Sequence, residues 1–293
     1  MLKVTNIRVR SFDINYLEVF WDIESTFEDV NDYVFVVERG NSEFGPWVDA
    51  TGEFRNKFHL RDNLITNKYD MYIGTYYRIR VKKVSDSSAQ IYPTTGNGVK
   101  LGAKPDLECL EMARQFKLKL REYTGRKVWV FPRKKFGQKC GCYDRVTGRK
   151  LRSQCLTCFD TGFVGGYDSP VETYAQIHSP AESTNKTVAG TVTSDDTAGL
   201  FGNFPELFDG YVIVEAENLR WRVGSPIDKK TKAKATIRQV ARLHHIPLGD
   251  IEYNLPMNID DISNLEASPA RNYTNPQTLS STAVVDAALG IYK

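Results

Sequence analysis

Apolar and polar residues alternate along the first third of this chain. In the run Tyr16 to Ile23, Leu17, Val19, Trp21 and Ile23 fall on one face, and Glu18, Phe20 and Asp22 on the other. That period of two marks a half-buried strand. Asp32 to Glu38 repeats it with Tyr33, Phe35 and Val37, and Tyr76 to Val84 with Tyr77, Ile79 and Val81. The stretch 39–46 is dense in Gly, Asn, Ser and Pro, which punctuates strands. Short strands separated by such turns predict a β-sandwich over residues 1–103.

The period then lengthens. Cys109, Met112, Ala113, Phe116, Leu120 and Tyr123 recur at helical spacing and predict one apolar helix face over 105–124. Pro105 suits a first turn, Asp106 and Glu108 complement the N-terminal dipole, and Gly125 suits the C-terminal cap. Val128 to Phe131 reads as a strand that Pro132 stops. Further on, 173–178, 211–216, 219–223 and 235–243 read as strands, the middle two as a hairpin around Glu217 and Asn218. They predict a small antiparallel β-barrel or sandwich over 170–257. Thr184 to Gly199 is expected as an exposed loop or a long hairpin. After residue 257 the pattern fades, and Ser268-Pro269 and Asn275-Pro276 punctuate an extended arm over 258–293. Such a segment gains order by lying on a partner surface. The expected fold class is mainly β: sandwich, connecting helix with a cysteine hairpin (104–169), small barrel or sandwich, and arm.

Four cysteines carry the chemistry. Cys140 and Cys142 form C-G-C, and twelve residues later Cys155 and Cys158 form C-L-T-C. Two tight turns can share one tetrahedral Zn²⁺ through four thiolates, so a structural zinc is expected. Two disulfides are the alternative. The chain opens straight into a strand pattern without a secretory leader, which points to a reducing cytosol where disulfides are disfavoured. Four thiolates leave no position for a substrate water, which disfavours a catalytic zinc. Cys109, inside the predicted helix, is expected as a small buried hydrophobe.

Charge matters locally rather than globally. The chain carries 39 basic and 36 acidic residues. The segment 126–152 holds Arg126, Lys127, Arg133, Lys134, Lys135, Lys139, Arg145, Arg149, Lys150 and Arg152 against Asp144 alone. Phosphate contact with nucleic acid, a solvated face, or a complement to an acidic partner all fit this cluster. Arg133, Lys134, Lys135, Lys139, Arg145, Arg149, Lys150 and Arg152 are the candidate contacts. A hydrophobic share of 41% and an aromatic share of 12% call for packed cores, and no apolar run approaches a membrane span.

Several segments resemble a fibronectin type III domain. L-E-V-F-W places Trp21 where that family has a core tryptophan. Y-V-F-V-V-E-R-G followed by G-P-W is similar to its third strand and turn. Y-R-I-R-V is similar to the strand bearing the tyrosine corner, with Tyr77 in the corner position. The resemblance implies a domain that binds or spaces and has no intrinsic catalytic site. C-L-T-C-F-D-T-G is similar to half of a cysteine-rich repeat of DnaJ-type chaperones, though the other repeats and the J-domain helix are missing.

The whole arrangement resembles the virion structural proteins of tailed bacteriophages, of the neck or head–tail connector class. The residues that carry this are the opening domain, the cysteine hairpin with T-G-F-V-G-G-Y, and a late pattern. That pattern runs G-Y-V-I-V-E, L-R-W-R-V-G, R-Q-V-A-R-L and I-P-L-G-D-I-E-Y-N-L-P. The resemblance implies a ring of identical subunits around a DNA channel, with portal-side or tail-side neighbours. It implies residence in the virion after synthesis in the host cytoplasm, and no membrane.

Enzymatic readings find little support. His59, His178, His244 and His245 sit in no metal or triad motif, and phosphate-loop, nucleophile-elbow and zinc-protease motifs are missing. His244-His245 is expected as one buried and one exposed residue. Asp195-Asp196 and Asp260-Asp261 are expected in solvated loops. The rival functions are a zinc-ribbon nucleic-acid-binding protein and a surface- or carbohydrate-binding accessory protein.

Overall fold

The computed structural model describes residues 2–257 except 64–73, 86–87, 103–105, 145, 179–182, 188–189, 195, 216–217 and 233–234. Pro105, Arg145, Asp195, Glu217, the Asp260-Asp261 pair and the arm over 258–293 therefore lie outside the described residues. The chain is mainly β and divides into two compact units. One holds 1–111, 133–168 and 231–236; the other holds 112–132, 169–230 and 237–293.

The first unit contains the sandwich. Strands β1 (Val4–Asp13), β2 (Tyr16–Ile23) and β5 (His59–Asp62) form one sheet in the order β1-β2-β5. Strands β3 (Tyr33–Gly40), β4 (Trp47–Asp49), β6 (Tyr76–Lys83) and β7 (Ala89–Tyr92) form the other in the order β4-β3-β6-β7, and β8 (Val99–Lys100) also pairs with β6. Alternate residues of both sheets meet in one core. Leu17, Val19, Trp21 and Ile23 come from β2, Tyr33, Phe35 and Val37 from β3, and Tyr77, Ile79 and Val81 from β6. Trp21 is fully buried against Phe35 and Phe54, at ring distances of 6.2 and 5.7 Å.

Tyr77 is buried, but its hydroxyl goes elsewhere than the corner motif implies. It donates to Asp62 Oδ2 on the opposite sheet at 2.9 Å, and Arg39 Nη1 donates to both oxygens of the same carboxylate, at 2.9 and 3.1 Å. One buried acid on β5 is thus tied to β3 and β6. Burial, with the Asp62 charge added, pushes the Tyr77 phenol well above its ordinary range. Glu18 and Glu38, on the face opposite the core, are also buried, because Arg61 pairs with the first and Arg78 and Arg80 with the second.

Helix α1 (Leu107–Lys119) follows, and its last turn widens into a π-helix over Leu120–Thr124. Its buried stripe is Cys109, Leu110, Ala113 and Leu120. Met112 and Tyr123, expected on that stripe, are 40% and 55% exposed. Cys109 is the buried residue expected. Gly125 caps the helix through its N–H to the Leu120 carbonyl at 2.8 Å, in an extended conformation. Glycine is needed there because a Cβ would lie 2.5 Å from the Leu120 oxygen.

The second unit contains a closed six-stranded barrel in the order β10-β13-β16-β15-β14-β9. Its strands are β9 (Arg126–Phe131), β10 (Val171–Ile177), β13 (Asp196–Phe201), β14 (Val212–Val214), β15 (Arg220–Lys232) and β16 (Ala235–His245). Val128, Val130, Ala175, Phe201, Ile213, Val223 and Leu243 fill it. Between β10 and β13, strands β11 (Ser183–Thr187) and β12 (Gly190–Ser194) make a separate hairpin, so the expected loop or hairpin is a hairpin up to Ser194, whereas 196–199, expected in it too, belong to the barrel strand β13. Asp196 is not in a loop: it opens β13 opposite His244, whose Nδ1 lies 2.5 Å from its Oδ1. Of the two histidines, His245 is exposed and His244 is held half-buried by this pair.

Gln239 is fully buried in the barrel wall. Its amide donates to the carbonyls of Gly202 and Pro205, both at 2.9 Å, and its oxygen accepts from Leu207 N–H at 2.8 Å. Gln239→Leu should therefore strand three backbone groups and cost about 2–4 kcal/mol, read in a denaturant melt.

His59 stacks on Phe20, and burial, aided by the charges of Lys57 and Arg61, pulls its pKa from 6.5 down to about 4. The unfolded chain binds that proton first. The stability contributed by neutral His59 is thus complete above pH 6.5 and is lost as pH falls toward 4. His59→Phe should flatten this part of the stability–pH curve, and the His59 ring signals should titrate with a midpoint near 4.

Candidate metal centre

Strand β9 pairs antiparallel with β10, from Arg126↔Ala175 to Val130↔Val171. The residues between them must leave and return at adjacent points. Main-chain bridges Arg133↔Tyr167 and Lys139↔Phe163 build a stem. Cys140 N–H donates to the Gly162 carbonyl at 2.9 Å at its far end. Beyond it, Asp144 to Gly148 close a turn, with Gly148 N–H on the Asp144 carbonyl at 2.9 Å and Thr147 Oγ1 on the carboxylate at 2.5 Å.

This stem brings the two cysteine pairs together. The sulfurs of Cys140, Cys142, Cys155 and Cys158 lie within 4.8 Å of one another. Cys140 and Cys155 are 3.8 Å apart and Cys142 and Cys158 3.3 Å apart, so neither pair is a disulfide. A tetrahedral ion with metal–sulfur bonds of about 2.3 Å has sulfurs about 3.8 Å apart, so the four thiols fit one metal ion. Three of the four are buried and Cys155 is half-buried. Tyr143 and Val164 pack around them.

Local backbone explains the fit. Phe159 N–H and Cys158 N–H turn back to the Cys155 carbonyl, at 2.8 and 3.2 Å. Gln154, Phe159 and Asp160 adopt positive φ. The Asp160 carboxylate steadies this turn by accepting from Gln154 and Cys155 N–H, at 3.2 and 3.0 Å, and pairs with Lys150 at 2.7 Å. Gly166, at φ +64°, has no room for a Cβ, which would lie 2.6 Å from the Cys158 oxygen. Burial pushes the Cys142 thiol up. At Cys155 burial also opposes ionisation, but the N–H groups of Cys158 and Thr157 outweigh it and bring the thiol down to about 6.

The excursion also packs on the sandwich, within the first unit. Thr26 N–H donates to the Gly137 carbonyl at 3.1 Å, and Lys139 N–H to the Thr26 carbonyl at 2.7 Å. The Phe136 ring meets Phe58 at 5.1 Å, edge to face. Sequence reasoning missed Phe136 and Thr26. The available signal was Phe136 itself, the only apolar residue between Pro132 and Cys140.

The predicted basic contacts separate into two groups. Lys134 is half-buried, its ammonium 3.0 Å from the Val164 carbonyl, and burial lowers its pKa. Nearby Asp168 is raised by burial to about 6, with the Lys134 charge opposing. Lys139 lies over the Phe27 ring at 5.2 Å, and Lys150 pairs with Asp160. Arg133 is half-buried, whereas Lys135, Arg149 and Arg152 are exposed. Arg145 lies outside the described residues.

No family model matches this chain, and no curated protein matches it either. Among the described residues no helix is long and apolar enough to cross a membrane.

Cys142→Ser or Cys155→Ser should lower bound metal from about one ion per chain and expose residues 136–167 first, measured by elemental analysis and hydrogen exchange. Cys109→Ser should leave metal content unchanged.

Proposed function

We propose that this chain is a non-enzymatic structural subunit of a tailed-bacteriophage particle, a ring-forming neck or head–tail connector protein. Its cysteine centre holds one structural zinc ion. The observation that carries this reading is the construction of the centre. Four thiols fill a tetrahedral set, three of them buried, on a stem stitched to the sandwich by main-chain hydrogen bonds. A tetrathiolate zinc keeps no position for a substrate and contributes folding free energy instead. It acts as a brace for a segment too small to bury its own core. The phage assignment is supported by the resemblance of the opening domain, the cysteine hairpin and the late barrel pattern.

In this reading identical subunits surround a DNA channel and meet portal-side or tail-side rings. The exposed Lys135, Arg149 and Arg152 face DNA or an acidic neighbour, attracted over about 8–10 Å at physiological salt. The purified full chain should form closed rings of one size by electron microscopy, with about one zinc per subunit. A monodisperse monomer at every concentration would overturn the ring, and a fully folded metal-free chain would overturn the zinc.

A further inference from the structure

Within the second unit, α1 and the β15–β16 hairpin bound a groove of about 450 Å³. Its apolar lining is Met112, Phe116 and Ile237, and its cations are Lys119, Lys230 and Arg238. Met112 is 40% exposed, although helical spacing assigns it to a packed face. Among the described residues none of the three cations makes an ion pair, and Arg238 Nε is buried without a hydrogen-bond partner. Three cations beside apolar surface call for a ligand that is both apolar and acidic.

The chain contains such a segment. Residues 259–266 read Ile-Asp-Asp-Ile-Ser-Asn-Leu-Glu. Ile259, Ile262 and Leu265 recur every third residue, and Asp260, Asp261 and Glu266 add three acids with no base. Reach favours the groove of a second copy for the segment as a whole. Arg220 holds the root of the arm, donating to the carbonyls of Glu252 and Leu255 at 2.8 and 3.1 Å. Lys230 lies ten residues further along β15, about 33 Å at a strand rise of 3.3 Å per residue. Ile262, the middle of the segment, is seven residues past Leu255 and spans at most about 25 Å, so only the end of the segment, Leu265 and Glu266, extends far enough to meet the groove of its own copy.

We infer that residues 259–266 of one copy dock in the α1/β15–β16 groove of a second copy. The aliphatic residues cover Met112, Phe116 and Ile237, and the acids pair with Lys119, Lys230 and Arg238. This rests on the reading of the chain as a repeated subunit and names the surface that joins the copies.

Charge exchange between full-length chains tests it. One variant carries Lys119→Glu, Lys230→Glu and Arg238→Glu; the other carries Asp260→Lys, Asp261→Lys and Glu266→Lys. Each alone should self-associate about tenfold or more weakly by sedimentation velocity, and mixing them should restore association. A third chain with all six changes should also associate. If the mixture fails while the six-fold chain associates, the contact lies within one chain and the proposal falls. It falls too if groove reversal leaves association unchanged, even if binding of a DNA duplex is lost. Thermal melts verify folding of the groove variant; should it unfold, Arg238→Gln and the arm variant, measured separately, carry the test. Rings formed by both variants would sink this proposal and leave the ring reading standing. A wild-type chain without rings, but with association restored by mixing, would do the reverse.

Discussion

The antiparallel pairing of β9 with β10 is the constraint on which the rest of the structure depends. One edge of β9 runs along β10, and the other pairs with β14 through Phe131↔Val212. With both edges occupied, six strands close and leave no open edge. The same pairing fixes the two ends of the cysteine excursion side by side. Its stem then forms at little further entropic cost, because the loop is already closed at its base. Cysteine pairs separated in sequence arrive at one point without a core of their own.

A few buried polar groups give each β-assembly its register. An apolar core tolerates small slips, but a buried polar atom without its partner costs about 1–3 kcal/mol, a sizeable fraction of a domain's margin of about 5–15 kcal/mol. Asp62 accepts from both Arg39 and Tyr77 across the sandwich. Gln239 clips residues 202–207 to the barrel wall. Glu215 accepts from Trp221 and pairs with Arg126 at the start of β9. Arg220 does the same for the segment after β16, lying over the Tyr253 ring at 4.9 Å while it bonds two carbonyls. Asp62 and Glu215 each meet an arginine where they are buried, and the Arg220 guanidinium meets carbonyl oxygens and the Tyr253 ring in place of an acid.

The cysteine centre follows the same logic at a smaller scale. Its surroundings are polar loop, and among the described residues Tyr143 and Val164 are the hydrophobic side chains packed against the thiols. Hydrophobic area of that size cannot order an excursion of this length. The Phe136–Phe58 contact supplies cohesion at the stem, and at the tip the four sulfurs lie close enough together to share one metal ion, which would supply the rest. Several basic residues of the segment serve this local structure: Lys134 bonds a carbonyl of the stem and Lys150 steadies the Asp160 turn.

Local pattern by itself determined β2, β3 and β6 of the sandwich, the helix, the β14–β15 hairpin with β9, β10 and β16 of the barrel, and the four cysteines whose sulfurs meet. Alternation of Leu17, Val19, Trp21 and Ile23 reports one buried face, and C-x-C with C-x-x-C reports two turns able to share an ion. Both are properties of adjacent residues. The tertiary structure alone decided what those elements touch. Val128 to Phe131 reads as a strand anywhere, but its place in the barrel depends on strands more than forty positions away in sequence. Met112 and Tyr123 share the helical spacing of Ala113, yet only contact with the neighbouring strands determines which side of the helix is covered. Glu18 reads as a polar-face acid, yet it is buried because Arg61 on the paired strand meets it; Glu38 is buried by Arg78 of its paired strand and Asp62 by Arg39 of the opposite sheet. Asp196 reads as loop and becomes strand because His244 lies opposite. Periodicity records whether a face is apolar, whereas burial of a charge depends on a partner that only the fold brings within reach.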